Sequence, residues 1–210
     1  MTATFTIGTH NTNHGAATFK TFADIIGWQE VDTPTASRRL HRAMKSAGWG
    51  TFGLEHECPI SFRDRDWHLG NWDVEKVHHG KSGVSPSRFI TWGSLIHKKT
   101  DERARLINTH MVSGAFNRNT HEKAEAWRDD MWEKHYNRLQ QMCREWAGET
   151  VILVGDLNRQ RGFSFYGLER ADQGSVDHIW VDATVEVLDH DQLSRYGSDH
   201  PAERAKVRIP

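Results

Sequence analysis

Long apolar runs are missing from this chain. None approaches membrane-spanning length, and the mean hydropathy is −0.71. The N-terminus, Met1-Thr2-Ala3-Thr4-Phe5, has no basic segment followed by an apolar core, so no secretory signal is expected. Cysteine is scarce. Cys58 and Cys143 are the two present, in different kinds of segment and without metal-type spacing. Free thiols in a reducing compartment are expected, and with them a cytoplasmic location. An excess of one charge is also lacking: 27 basic against 28 acidic side chains leave a net −1, so no global field advertises nucleic-acid binding. The 14 histidines turn that balance positive under mildly acidic conditions.

What is present suits one larger globular domain over 1–210, expected to be monomeric, with length enough to bury a real core. Nine tryptophans are many for this length and are expected in the core or lining a cleft, with each indole N–H satisfied. Period-two alternation and short aliphatic runs predict strands over 5–9, 23–31, 49–54, 59–62, 67–77, 89–97, 104–108, 151–156, 176–181, 183–188 and 205–209. A helix is expected from about Arg38 to Ala47, capped by Thr35 or Ser37 and stopped by Gly48. A longer one should bury Ala124, Trp127, Met131, Leu139, Met142, Cys143 and Trp146 and stop at Gly148. The Gly-, Ser-, Lys- and Pro-rich stretch from His78 to Arg88 reads as a mobile surface loop, and Arg159 to Ser175 as a polar loop.

One stretch draws the chemistry together. Val151-Ile152-Leu153-Val154 is a buried strand by composition, and it runs into Gly155-Asp156-Leu157-Asn158. Strand alternation would send the Asp156 carboxylate and the Asn158 carboxamide the same way, a pair suited to a hard cation or a phosphate. Alone, such a cluster is more simply a turn. Other strand ends, however, offer Asn11, Glu30, His110, Asp177, and Asp199 with His200. Each singly is a polar edge; together they suit metal-assisted attack of water on a phosphate ester. Glu30 is the natural metal anchor, with Asn11 and Asp199 as helpers. His200 with Asp177 is the pair that polarises water, His110 donates to phosphate oxygens, and Asp156 with Asn158 positions water or leaving group.

These residues, in this order, resemble the endonuclease/exonuclease/phosphatase superfamily, the deoxyribonuclease I-like fold. The matching motifs are Asn11, Ile26-Gly27-Trp28-Gln29-Glu30, Asn108-Thr109-His110, Gly155-Asp156-Leu157-Asn158, Val176-Asp177-His178-Ile179 and Ser198-Asp199-His200-Pro201. The resemblance implies a four-layer α/β/β/α sandwich and a phosphoesterase dependent on Mg²⁺, with Mn²⁺ as a substitute. It also implies a glutamate partner for His110, for which Glu57 is the nearest choice and Glu55 the alternative. Two departures stand out. Asn108-Thr109-His110 differs from the apurinic-site repair branch, which has a tyrosine segment there, and the stretch from Asn158 to Asp177 is short. Arg159 and Arg161, beside the motif, are available for phosphate binding or are solvated loop residues.

The leading expectation is a nuclease acting on DNA or RNA. Its rival is a phosphatase or phosphodiesterase for an inositol phosphate, nucleotide or lipid headgroup. A silent binding module would have no need of the whole set of polar residues.

Overall fold

The computed structural model describes residues 2–116, 123–172 and 175–210. The alternating apolar residues of the chain fold into two six-stranded sheets. One has the order β11(Glu186–Gln192)-β12(Glu203–Ile209)-β1(Ala3–Asn11)-β2(Ile25–Gln29)-β4(Ile60–Arg63)-β3(Trp49–Phe52). The other has the order β5(Trp67–His78)-β6(Arg88–His97)-β7(Arg103–His110)-β8(Val151–Asp156)-β10(Asp177–Asp182)-β9(Leu168–Arg170). Their facing sides share a core that includes Phe5, Ile7, Ile25 and Phe62 from the first sheet and Leu106, Ile152, Val154 and Ile179 from the second. Helix α1 (Pro34–Ser46) covers the outer side of the first sheet through Leu40 and Met44. Helix α2 (Ala126–Glu145) covers the second through Trp132, Leu139 and Met142. The layers are therefore helix, sheet, sheet, helix, the deoxyribonuclease I-like sandwich. Among the described residues no helix is long and apolar enough to cross a membrane.

Several boundaries differ from the sequence expectation, each for a local reason. Helix α1 starts earlier than expected: Thr33, not Thr35 or Ser37, accepts the Ala36 N–H at 3.1 Å, and Pro34 takes the first turn, where its missing N–H costs nothing. Ala47, expected as the last helical residue, is an exposed cap residue. In α2 the buried stripe runs through Trp132, His135, Leu139, Met142 and Cys143, while Ala124 is exposed and Trp127 and Met131 are only half-buried. The stretch 78–88 is less loop-like than expected. Lys81 and Ser85 form an isolated bridge, and Arg88 is already the first residue of β6. The supposed polar loop after Asn158 contains β9, and its Phe165 and Leu168 join the core under α2. Cys58 and Cys143 are free and buried. The tryptophans divide: Trp28 donates to Ser61 Oγ at 3.0 Å and Trp132 to the Leu157 carbonyl at 2.8 Å. The buried indole nitrogens of Trp67 and Trp180 meet no acceptor among the described residues, contrary to expectation.

Buried polar groups join the two sheets near the functional rim. Gln29 Nε2 donates to Asn108 Oδ1 at 2.6 Å, and Asn108 Nδ2 is shared among the carbonyls of Trp28, Cys58 and Pro59 at 2.8–2.9 Å. Gly27 makes room for this. A Cβ there would lie 2.4 Å from Val154 Cγ2 and 2.8 Å from Asn108 Oδ1. Gly27→Ala is expected to cost about 1–3 kcal/mol by overpacking, read as a lower midpoint in urea at unchanged slope. An unchanged midpoint would show that the sheets can part there without penalty.

Candidate active site

Strand direction explains how distant segments meet at one rim. β1 and β2 are parallel, with Asn11 opposite Gln29, and β7 and β8 are parallel, with His110 opposite Asp156. Their C-terminal ends therefore point the same way. β10 runs antiparallel to β8 and places its first residue, Asp177, opposite Asp156. β12 runs antiparallel to β1, so the segment leading into it returns His200 to the same end. Four of these elements deliver side chains as strands stop; Asp177 and His200 arrive just where strands begin.

At the centre, Asn11 Nδ2 donates to Glu30 Oε1 at 3.1 Å and to Asp156 Oδ2 at 3.0 Å. Glu30 follows β2 with φ +59, a left-handed conformation uncommon for a glutamate. Its other oxygen accepts the His14 N–H at 3.0 Å. Burial alone would raise the Glu30 carboxyl, but His110, the Asn11 amide and His14 together hold it below its ordinary range. His110 Nε2 lies 3.8 Å from Glu30 Oε1 and 3.6 Å from Asp156 Oδ2. Among the described residues, the ion-pair contacts of Glu30 and Asp156 are imidazoles alone: His14 and His110 for the first, His110 and His200 for the second. Two carboxylates with no lysine or arginine pairing to them among the described residues suit a hard divalent cation, while Asn11, whose Oδ1 accepts the Asn13 N–H at 3.0 Å, bridges them through Nδ2.

Beside this centre, His200 Nδ1 lies 2.7 Å from Asp177 Oδ2 and 3.9 Å from Asp156 Oδ2. Burial would lower the His200 imidazole, but the Asp177 hydrogen bond and the charges of Asp177, Asp156 and Asp199 raise it to about 9. Asp177 is itself pushed up by burial and by Asp156, against the pull of His200. Asp156, Asp177 and His200 offer three ligand atoms within 4.8 Å of one another. Because His200 Nδ1 is engaged with Asp177, that trio reads better as an oriented imidazole than as a cation cage. Ser198 Oγ donates to the Asn11 carbonyl at 2.7 Å and accepts the His200 N–H at 3.1 Å, which ties the His200 loop to β1.

Three expected site residues sit differently from their sequence reading. Asn158 does not continue the strand alternation: it has φ +50, and its N–H bonds back to Asp156 Oδ1 at 2.9 Å. The motif is thus the turn that composition suggested, with the Asp156 carboxylate holding it shut. The Asn158 amide then donates to the Met111 carbonyl at 3.0 Å, which directs the carboxamide along the cleft wall. Asp199 is exposed, beside His200 and not among the contacts of Glu30. Of the two arginines, Arg159 lines the cleft next to His200, while Arg161 is exposed and does not.

Arg88 was missed by the sequence reading. It is 5% exposed, and its Nη1 lies 2.7 Å from Glu57 Oε2 and 2.8 Å from His110 Nδ1. Glu57 does lie 3.5 Å from His110 Nδ1, and the Arg88 guanidinium bonds to both. A guanidinium only donates, so His110 Nδ1 accepts, and the ring proton sits on Nε2, the nitrogen facing the centre. The signal lay in the sequence as an arginine just before the β6 aliphatic run, where a strand's first residue enters the core. Arg88→Met is expected to lower stability by about 3–5 kcal/mol, because it strands the buried Glu57 carboxylate. Adding Glu57→Gln should restore much of the loss in thermal melts; a double variant as unstable as the sum of the two singles would refute the pairing.

Residues 8–200 match the Endonuclease/Exonuclease/phosphatase family. No curated protein matches the sequence. A solved endonuclease/exonuclease/phosphatase family protein from Bacteroides thetaiotaomicron superposes with a TM-score of 0.77 at 15% identity, covering 100% of this chain and 99% of that one. The Bacteroides thetaiotaomicron mannosyl-6-phosphatase gives 0.73 at 16% identity, covering 96% and 98%. TDP2 from D. rerio, solved with a single-strand DNA product, gives 0.72 at 14% identity, covering 98% and 99%. At such identities these structures establish the fold alone. The matched residues take in every element that builds the rim from β1 to His200, and the chain belongs to the endonuclease/exonuclease/phosphatase family of phosphoric ester hydrolases.

Proposed function

We propose that this chain is a divalent-metal-dependent phosphodiesterase, acting as a single domain over 1–210, with a nucleic-acid strand as the favoured substrate. The observation that supports the reading best is the pairing of two arrangements at one rim. An Asp177-oriented imidazole stands next to a carboxylate pair bridged by Asn11. Glu30 and Asp156, bridged by Asn11, would hold Mg²⁺ or Mn²⁺. Such an ion supplies charge neutralisation at a phosphate that would otherwise repel a nucleophile.

The chain's own residues do the rest. Asp177 holds the Nδ1–H of His200 and raises that ring to about 9, so Nε2 takes a proton from water only in the neutral form, which gains population as pH rises. His110, its proton fixed on Nε2 by Arg88, donates toward phosphate oxygens or the leaving group. Asn11 keeps the Glu30 and Asp156 carboxylates apart while screening both, and the Asn158 carboxamide offers a neutral contact along the cleft.

Hydrolysis should be seen with Mg²⁺ or Mn²⁺ and lost in EDTA, measured over plasmid DNA, single-stranded DNA, RNA, inositol phosphates and a generic phosphodiester. Metal-independent hydrolysis would remove the cation from the proposal; inactivity on every substrate would return the silent binding module. The rival reading, a small phosphate ester, draws support from the near-zero net charge and from a bounded cleft of about 620 Å³ beside His200. Turnover of inositol phosphates or nucleotides with none of the polymers would select it.

A further inference from the structure

The cleft beside His200 has a second feature that phosphoester cleavage at the rim does not use. Arg159 and Arg128 are among its lining residues. The Arg159 guanidinium carbon lies 4.0 Å from the centre of the Phe116 ring, 5.0 Å from Trp132 and 5.6 Å from Phe163. Its backbone is fixed as well, because His178 Nε2 donates to the Arg159 carbonyl at 2.8 Å. Rings stacked on a guanidinium hold its plane but cannot accept its in-plane N–H groups. Nε of Arg159 is buried with no hydrogen-bond partner among the described residues. The nearby carboxylate of Asp129 pairs through Oδ2 with Lys123 Nζ at 2.7 Å and makes no hydrogen bond to Arg159 among the described residues. Burial draws the Arg159 guanidinium below its ordinary range, against the pull of Tyr136 and Asp129.

Arg128 adds a second cation. Its Nη1 donates to the Ser113 carbonyl at 2.7 Å, its Nε pairs with the Glu125 carboxylate at 3.3 Å, and its guanidinium carbon lies 4.4 Å from the Trp127 ring centre. Two guanidiniums held against aromatic rings thus line the same cleft as His200 and Asn158. A planar cation with open in-plane donors is built for bidentate contact with a phosphate. Stacking alone would be served as well by an uncharged side chain, without the cost of burying a charge.

We propose that the Arg159–Arg128 wall binds a second phosphate group of the substrate, next to the one cleaved at the rim. The inference rests on the phosphoesterase reading for the cleaved group but not on which ester is cleaved. A terminal phosphomonoester and the flanking diester of a polynucleotide both supply that chemistry.

The test compares kcat/KM, in Mg²⁺, for the p-nitrophenyl ester of thymidine 5′-phosphate with and without a 3′-phosphate. The 3′-phosphorylated ester should be preferred by roughly 10- to 100-fold, the worth of charge-assisted hydrogen bonds to one phosphate. Arg159→Met should bring the ratio near one, and Arg159→Lys should keep part of it. Because the ratio is taken within one protein, any loss of folded enzyme cancels. Titration calorimetry in metal-free buffer, thymidine 3′,5′-bisphosphate against the 5′-monophosphate, should show the same preference and the same loss. An unchanged ratio in Arg159→Met, or no preference in the unsubstituted protein, overturns the inference while leaving the phosphoesterase reading standing. Tighter bisphosphate binding with neither ester hydrolysed does the reverse. Joining the 3′-phosphate to a second nucleoside separates the sources: a preference that persists assigns a polymer strand, and one that vanishes assigns a terminal phosphate.

Discussion

Replacing His200 with alanine is expected to lower kcat for phosphodiester hydrolysis by about 10²–10⁴-fold, the range for losing a positioned general base. His200 is half-buried with Nδ1 2.7 Å from Asp177 Oδ2, and no other described imidazole has a carboxylate so placed at this rim that also faces the cleft. His14 lies 2.7 Å from Asp32, but its ring is exposed and outside the cleft. Asp177→Asn should cost less than His200→Ala, since the imidazole remains but loses its orienting charge. The double variant should be no worse than His200→Ala alone, because the two act as a unit. Turnover of His200→Ala within threefold of the unsubstituted protein, with circular dichroism showing an intact fold, would be incompatible with this assignment; additive losses in the double variant would separate the pair.

The second large effect is acid unfolding at a pH well above the carboxylate range. His10 and His178 are wholly buried, and burial lowers each to about 4, against 6.5 when unfolded. His78 is also lowered by burial to about 4, and His135, 0% exposed, goes well below its ordinary value. Between pH 6.5 and pH 4 the unfolded chain therefore binds protons that the folded chain refuses. Stability is whole above the unfolded value and is lost as pH falls, by about 1.4 kcal/mol per pH unit for each such group. His10 and His178 alone represent roughly 3 kcal/mol apiece by pH 4, a large share of the 5–15 kcal/mol typical of a domain.

Two groups act in the other sense. Asp177, raised by burial and Asp156, takes up its proton in the folded state first and offsets part of the acid loss. His200, raised to about 9, contributes stability that is complete below 6.5 and fades as pH rises through 9. The net expectation is cooperative loss of far-ultraviolet dichroism between about pH 4 and pH 6. His178→Gln should move that transition to lower pH, since an amide in place of Nε2 keeps the bond to the Arg159 carbonyl without a titrating ring. A fold that persists below pH 4, or a transition that His178→Gln leaves in place, would show that these rings are protonated without penalty.

Much of this protein could be read from local pattern. The aliphatic runs ending in polar residues marked β1, β2, β7 and β8, because a strand's period and its terminus are local properties. The order of Asn11, Glu30, His110, Asp156, Asp177 and His200 along the chain was enough to identify the family resemblance. The helices were visible too, but not which residues of α2 face the sheet. That choice depends on the outer side of β7 and β8, whose Ile107 and Leu153 receive Trp132 and Leu139 in one cluster.

Tertiary structure decided the rest. Arg88 ends a Gly-, Ser- and Pro-rich stretch and by composition belongs to a solvated loop. It is buried because Glu57, 31 residues earlier, and His110, 22 residues later, offer it acceptors. Arg159 and Arg161 are alike in sequence, yet one is stacked on Phe116 and Trp132 and the other is exposed. Asn158 reads as a strand-end donor until its φ of +50 and its bond to the Met111 carbonyl are known. The sequence by itself determined which chemical groups reach the rim, since strands deliver their ends wherever hydrophobic alternation stops. Which of those groups are paired, buried or left with unmet donors was decided only by the packing of the two sheets, because an ion pair's partner and its dielectric surroundings come from residues far away in the chain.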